Sequence, residues 1–441
     1  MAVDRRSGWR QTTLGALGRI VTGKTPPTRD ATNFGGHIPF ITPSDMDGRR
    51  VIHRTARLLT DAGVAAVRNA RIPAGAVLVS CIGSDMGKAA IAARDSVTNQ
   101  QINSLIVQSG DVSLYVYYDL SARKAEIQAK ASGSAQPILN KSAFGRLPIN
   151  LPPVRDQQAI AKVLGALDEK IDVNRRTNET LSGLARAQFK TWFVDFDPIR
   201  AKSHDHVPLG FDVEGARALA SSMRDDVLGQ MPSNWRVATV GDVAEVIDCL
   251  HSKKPQAQPD GEPLLQLENI RADGLLDLSK IYHISPEDYA LWVSRFEAHE
   301  GDCVITNVGR VGAVGQVPAG FRAALGRNMT GIRTKPSFPF PTFLIECLLS
   351  APMHEEIERK TDAGTILEAL NVRSIPSLRF ARPPDDLLSR FESRVRPIRA
   401  RMELNERESL TLAELRDALL PRLLSGEMRV HDAEREVAAA V

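Results

Sequence analysis

Residues 18–25, GRIVTGKT, match the phosphate-cradling pattern G-x-x-x-x-G-K-[ST] letter for letter. That loop works only between a strand and a helix, where backbone N–H groups and the helix N-terminus surround the phosphates. Here Pro26 and Pro27 follow Thr25 directly, and a proline pushes the residue before it out of α geometry. The preceding LGALGRI reads as one short helix rather than a buried strand, so the match carries no ATP site. GSDMGK (83–88) falls one residue short of the same pattern, and the glycines at Gly309, Gly312 and Gly315 have the wrong spacing for a dinucleotide fingerprint. The chain has no Asp-Pro-Pro-Tyr or Asn-Pro-Pro-Tyr tetrapeptide of the amino-methyltransferase kind, no H-E-x-x-H and no G-x-S-x-G. His251, His283, His299 and His354 are scattered, which predicts surface or satisfied core histidines and no metal site. Cys81, Cys249, Cys303 and Cys347 form no C-x-x-C pair and read as buried thiols of a reducing, cytoplasmic protein. The chemistry that survives these tests is binding, with no catalytic residue and no cofactor in this chain.

The elements that would position a binding surface stand out more clearly. From Val154 to Asp195, the residues Ile160, Leu164, Leu167, Ile171, Asn174, Asn178, Leu181, Ala185, Gln188 and Trp192 alternate steps of four and three. This heptad seam predicts a helix of roughly 40 residues, about 60 Å long, with a partner helix along it. Moved 231 positions on, the seam falls on Phe391, Val395, Ile398, Met402, Asn405, Ser409, Leu412, Arg416, Leu419 and Leu423. Eight of these ten pairs agree in polar or apolar character, the exceptions being Ala185/Arg416 and Gln188/Leu419. Pro153 matches Pro384, and Asn174 matches Asn405 as a polar residue within the seam. The chain therefore contains an internal repeat. Pro397 and Pro421 are expected to kink the second helix or break its last turn.

The globular parts repeat as well. Trp9 matches Trp235 at an offset of 226, and at that offset Asp47-Gly48, Gly75 and Gly83 meet Asp273-Gly274, Gly301 and Gly309. Strand-like IPFIT (38–42), AVLVSCI (76–82) and INSLIVQ (102–108) lie between turn-rich loops, and Leu114 to Ala131 reads as helical. A further helix is expected over Val213 to Met223. Between the anchors the two copies diverge, which suggests related scaffolds presenting different loops. Of 441 residues 43% are hydrophobic and 25% charged, as in an ordinary globular protein. No apolar run is long enough to cross a membrane, and the N-terminus lacks a secretory h-region. The net charge of +3 hides an asymmetry, with +10 over residues 1–200 and −7 over the remainder. A basic first half suits a polyanionic partner.

Residues 151–202, LPPVRDQQAIAKVLGALDEKIDVNRRTNETLSGLARAQFKTWFVDFDPIRAK, resemble the central conserved region of the DNA-specificity subunits of type I restriction-modification enzymes. LTLAELRDALLPRLLSGEMRV, residues 410–430, resembles their distal conserved region. The resemblance spans the whole chain. It implies an α+β protein in which two pseudo-twofold-related α/β target-recognition domains are separated by two long helices paired as an antiparallel coiled coil. The expected division is recognition domain 1 at 1–152, central helix 153–197, linker 198–231, recognition domain 2 at 232–384, distal helix 385–426 and a flexible tail 427–441. Each domain would read one half of a bipartite, asymmetric site on double-stranded DNA, with the coil as spacer. Two adenine-N6 methyltransferase subunits would dock on the helices, with Arg175, Arg176 and Arg186 as candidate contacts. Motor-nuclease subunits would join through the complex. S-adenosylmethionine, ATP and Mg²⁺ would belong to those partners.

Under that resemblance the DNA contacts come from loops. In the first domain the candidates are Lys24, Thr25, Ser44, Asp45, Ser84, Lys88, Asn99, Gln100 and Gln101. In the second they are His251, Ser252, Lys253, Lys254, Asn269, Arg310, Arg327 and Asn328. Asn and Gln pair with adenine edges and Arg with guanine, while Lys more often holds phosphate. Arg310, just after the repeated Gly309, is the foremost single candidate, and Arg310→Ala is expected to cost about 1–3 kcal/mol and relax one position. The competing functional classes are a stand-alone methyltransferase or NTPase, against which the missing motifs count, and a coiled-coil scaffold without a DNA role.

Overall fold

The computed structural model describes every residue except 1–7, 84, 109, 131–137, 204–215, 217–218, 221, 363–367 and 441. The chain forms two compact units, Met1–Val173 with Ser409–Val441, and Asn174–Glu408. The division passes through both long helices, so Pro152-Pro153 and Pro384 mark helix entries rather than unit limits. Each unit holds one globular α/β domain and a piece of each helix.

In the first unit the strands are β1 (Arg10–Thr13), β2 (Gly18–Thr22), β3 (Phe34–Ile41), β4 (Val51–Ile52), β5 (Arg57–Leu59), β6 (Arg71–Ile72), β7 (Val77–Ser80), β8 (Ala89–Ala92), β9 (Ser96–Thr98), β10 (Ile102–Val107) and β11 (Pro148–Leu151). They build a five-stranded sheet in the order β2-β10-β7-β8-β4, a four-stranded sheet β5-β3-β9-β6, and the pair β1-β11. The expected helix over LGALGRI shrinks to Leu14–Leu17, and Gly18–Thr22 is strand. The β-branched Ile20, Val21 and Thr22 favour strand. Gly18 permits it, since a Cβ there would lie 2.1 Å from the Ile106 carbonyl oxygen across the sheet. The three expected strands of this domain appear, and the expected helix appears as two pieces, with Ala131 outside the described residues. IPFIT, AVLVSCI and INSLIVQ enter β3, β7 and β10, and helices cover Gly110–Ala122 and Lys124–Lys130.

The second unit repeats the plan. Its strands are β12 (Met223–Asp226), β13 (Gly229–Pro232), β14 (Arg236–Thr239), β15 (Ala244–Asp248), β16 (Glu262–Leu265), β17 (Tyr282–Ile284), β18 (Glu297–Ala298), β19 (Cys303–Thr306), β20 (Val314–Gln316), β21 (Ala323–Leu325), β22 (Met329–Thr334), β23 (Thr361–Asp362), β24 (Ala369–Leu370) and β25 (Arg379–Arg382). The orders β15-β22-β19-β20, β17-β16-β21-β18 and β14-β25 match β2-β10-β7-β8, β5-β3-β9-β6 and β1-β11 of the first unit, whose main sheet adds β4. The parallel pair β3-β9 recurs as β16-β21 within otherwise antiparallel sheets. The anchor glycines explain the shared frame. Gly48 and Gly274, Gly75 and Gly301, and Gly83 and Gly309 all sit at φ between 78° and 95°, a region costly for any residue with a Cβ. The helix expected over Val213 to Met223 falls largely outside the described residues. Met223 itself opens a two-stranded hairpin whose turn uses Gly229 at φ 91°.

The long helices run Val154–Phe193 and Asp385–Leu424, 40 residues each. The second passes through Pro397 and Pro421 as one helix, so the expected break is absent. Fully buried Val395 and Met402 pin the helix on either side of Pro397. In the second unit the pairing is antiparallel. Asn178 donates to the Met402 carbonyl at 3.0 Å, Asn405 donates to Asn178 Oδ1 at 2.8 Å, and Trp192 packs on Phe391 with centroids 6.1 Å apart. The buried asparagines at seam positions therefore bond across the pair, where they specify register at some cost in stability.

The expected flexible tail is a helix, Val430–Ala440. Val430, Ala433 and Val437 form a stripe at helical spacing, and all three pack on the core of the first unit, with Ala433 fully buried. Alanine-rich composition concealed this stripe. All four cysteines are free and buried.

Candidate nucleic-acid interface

In each unit four loops converge beyond the strand ends. In the first unit the 23–27 loop follows β2, a 3₁₀ turn at Pro43–Asp45 follows β3, a turn at 85–87 follows β7, and residues 99–101 join β9 to β10. Backbone bonds tie them together. Lys24 N–H donates to Thr98 O at 2.8 Å, Asn99 N–H to Ile41 O at 3.0 Å, and Cys81 N–H to Gln101 O at 2.7 Å. Gly23 allows the closest crossing, because a Cβ there would meet Asn99 O at 2.1 Å.

The structure therefore gathers the candidates of the first domain and separates holders from presenters. Asn99 is buried, donates to Gln101 Oε1 at 2.8 Å and accepts from Gln101 N–H at 3.1 Å. Asp45 accepts from Thr42 N–H at 2.8 Å and Ala56 N–H at 2.9 Å, closing its own turn. Thr25 donates to Gln100 Oε1 at 2.7 Å, which turns the Gln100 amide toward this loop edge. Lys24, Ser44 and Gln100 are exposed, and Lys88 pairs with Asp85 at 2.8 Å. Ser84 lies outside the described residues.

The second unit uses the same frame with other side chains. Gly326 N–H donates to Leu265 O at 2.8 Å and Asn307 N–H to Asn328 O at 2.8 Å. Asn269 is buried, accepts from Gln266 N–H at 2.7 Å and donates to Asp277 O at 2.8 Å. It holds a loop rather than facing a ligand. Asn328 sits at φ 64°, a conformation asparagine tolerates better than most residues, and this favours a turn-forming role. Arg310 is exposed, but its Nη1 donates to the carbonyls of Leu267 at 3.1 Å and Ile270 at 2.9 Å. The foremost candidate is thus partly committed to bracing the neighbouring loop. Lys254 stacks on Tyr282, 4.0 Å from the ring centroid, while Lys253 and Arg327 are exposed and Ser252 is half-buried.

A pair of hydroxyls went unnoticed in the sequence. Ser80 Oγ donates to the carbonyl of Asp85, and Thr306 Oγ1 to that of Arg310, each closing the turn after its central strand. The two positions match at the repeat offset of 226, and that match was the available signal.

His251 Nε2 lies 2.7 Å from Asp248 Oδ2, and with Cys249 these residues bring three ligand-type atoms within 4.8 Å of one another. Burial pushes the Cys249 thiol up, away from the thiolate that a metal binds. Of the candidate partner contacts, Arg175 is half-buried, Arg176 exposed, and Arg186 exposed with its guanidinium donating to the Ala272 carbonyl. Among the described residues no helix is long and apolar enough to cross a membrane.

Two repeated α/β domains, each ending in a cluster of dissimilar polar loops and carried on paired long helices, define a duplicated recognition protein. Residues 6–182 match the family described as the type I restriction modification DNA specificity domain. Over 96% of this chain and 94% of the other, the sequence is 27% identical to the type I restriction enzyme MjaIX specificity subunit of Methanocaldococcus jannaschii. It is 23% identical to the HindI specificity subunit of Haemophilus influenzae, over 96% of this chain and all of that one. A crystal structure of the type I S subunit from M. genitalium shares the fold at a TM-score of 0.53 and 14% identity, covering 94% of this chain and 96% of the other. The DNA specificity domain thus covers residues 6–182, and along nearly all its length the chain resembles specificity subunits of type I restriction-modification systems, in keeping with a DNA-recognition role.

Proposed function

We propose that each unit reads one half of a bipartite, asymmetric DNA site. The observation that carries this is the repetition of one strand plan with unlike loop ends. Gly309 and Gly83 turn the chain alike, yet Arg310 follows one and Ser84 the other. Asn99-Gln100-Gln101 on one frame becomes Gly326-Arg327-Asn328 on the other. Amide-rich loops suit adenine edges, and an exposed arginine suits guanine. Of the candidates, Lys24, Ser44, Gln100, Lys253, Lys254 and Arg327 present groups outward, while Asp45, Asn99, Asn269 and Asn328 shape the loops that present them.

In this reading the paired helices are the spacer. Two recognition surfaces on one face of a duplex lie about one turn apart, roughly 34 Å or 10 bp. The duplicated helix offers two equivalent docking faces, one for each of two adenine-N6 methyltransferase subunits, with Arg175 and Arg176 as candidate contacts. The chain itself is non-catalytic and cytoplasmic. S-adenosylmethionine serves the methyltransferase, while ATP and Mg²⁺ serve motor-nuclease subunits that complete the assembly.

Mapping methylated adenines in the host genome, with and without this gene, tests the proposal. The expected result is a two-part motif with a fixed gap that disappears on deletion. A continuous motif, or methylation that persists unchanged, would overturn it. Incubation of the pure chain with labelled S-adenosylmethionine and DNA should give no transfer.

A further inference from the structure

The second unit contains an open cleft of about 410 Å³ whose lining includes Arg186, Arg271, Arg310 and His354 and no carboxylate. Four elements supply them. Arg186 comes from the first long helix, Arg271 from the loop after β16, Arg310 from the turn after β19, and His354 from the helix Ala351–Lys360. The acidic groups nearby are already engaged. Asp273 and Glu406 bind Arg271 at 2.6 and 2.8 Å, and Glu346 binds Arg399 at 2.9 Å. Arg186 and Arg310, by contrast, donate to backbone carbonyls, which hold each guanidinium in place without a salt bridge, although Arg186 also lies within electrostatic reach of the buried Glu346. Both side-chain hydrogen bonds of Arg310 leave from Nη1, so the other edge of its donor fork remains for a ligand.

We propose that this cleft is a phosphate clamp that takes one phosphodiester of the DNA backbone beside the second half-site. Two immobilised guanidiniums on separate elements, facing a cleft without carboxylates, suit a tetrahedral oxyanion. The inference rests on the DNA-recognition reading above and refines it. Arg310 becomes a residue that positions the duplex rather than a base reader, and Arg186 contacts DNA rather than a methyltransferase. Arg271, balanced by two acids, braces the cleft wall.

The full-length chain, assembled with its methyltransferase subunits, is titrated with a duplex carrying its site and with an unrelated duplex. Salt is varied over roughly 50–200 mM, where counterion release dominates. Arg186→Gln and Arg310→Gln should each weaken both duplexes by a similar factor, up to about tenfold, and flatten the log K against log salt slope by about 0.9. The double variant should flatten it no further, because both side chains serve one phosphate. Arg310→Lys, which keeps the charge, should retain the slope, and this separates a lost contact from a misfolded turn.

Unchanged slopes in both glutamine variants would overturn the clamp. So would a loss confined to the cognate duplex, which would make Arg310 a base reader. Loss of methyltransferase association in Arg186→Gln with DNA slopes intact would do the same. Inorganic phosphate that raises the unfolding midpoint of the wild type but not of the double variant, with DNA slopes unaltered, would assign the cleft to a free anion and overturn the DNA role. A wild-type assembly that binds no DNA would instead remove the recognition reading, and the clamp with it.

Discussion

Arg416 donates to Asp168 Oδ1 at 2.7 Å across the paired helices of the first unit, and the residue that repeats Asp168 in the second unit is Arg399. Asp168 is buried and also accepts from Tyr118 at 2.6 Å, so the pair ties the helices to the recognition domain. In the second unit the position matching Arg416 is the fully buried Ala185. Alanine offers Arg399 no carboxylate there, and Arg399 turns to the domain instead. It bonds Glu346 at 2.9 Å, Gly274 O at 3.1 Å and Gln316 Oε1 at 3.2 Å. One repeat thus yields two different bolts between helix and domain. The mismatch Ala185/Arg416 in the heptad alignment is where they diverge.

Arg416→Met should leave Asp168 buried without its cation and destabilise the first unit by about 3 kcal/mol. Asp168→Leu added to it should recover most of that loss, since a buried ion pair is often replaceable by apolar side chains of similar volume. Urea unfolding of the single and double variants measures both. A double variant no better than the single would show that the Tyr118 bond, not the ion pair, sets the cost.

Glu392 accepts from the Thr342 and Phe343 N–H groups, each at 3.1 Å, and so satisfies the start of the helix Pro341–Leu348 from the second long helix. Burial raises its pKa above 4.5, against the lowering effect of those bonds. An acid with a raised folded-state pKa contributes most below its unfolded value and loses that contribution as pH rises through the folded value. The stability of the wild type relative to Glu392→Gln should therefore decline on going upward from about pH 4.5 and then flatten. Thermal unfolding across that range checks it, and a difference that grows with pH would reverse the assignment.

Deleting residues 427–441 should lower the stability of the first unit by about 2 kcal/mol, through exposure of the apolar surface that Met428, Val430, Ala433 and Val437 cover. Unfolding of the truncated chain provides the measurement, and an unchanged midpoint would restore the flexible tail.

Gly23→Ala would drive a Cβ against the Asn99 and Thr98 carbonyls, at 2.1 and 2.4 Å. Because these are backbone atoms, the two loops must part, and cognate DNA affinity should fall together with amide-exchange protection at Lys24. Arg327→Ala should leave the fold intact and cost about 1–3 kcal/mol of binding at one position of the second half-site. Binding to a panel of single-base site variants would show it, and equal loss on every variant would make Arg327 a phosphate contact.

The repeat, the length of both helices, the seam asparagines and the positive-φ glycines were legible in the sequence. Each is a local or periodic property, since a heptad records which face is buried and a glycine records a turn that no other residue makes cheaply. Which loop residues hold and which present was settled only by tertiary structure. Thr25 meets Gln100 across 75 positions, and Arg310 finds its carbonyls across 43 and 40. Such pairings depend on how strands cross rather than on spacing along the chain. The same limit hid the ion pair of Asp168, because the repeat aligns each residue with its copy and says nothing of the partner opposite.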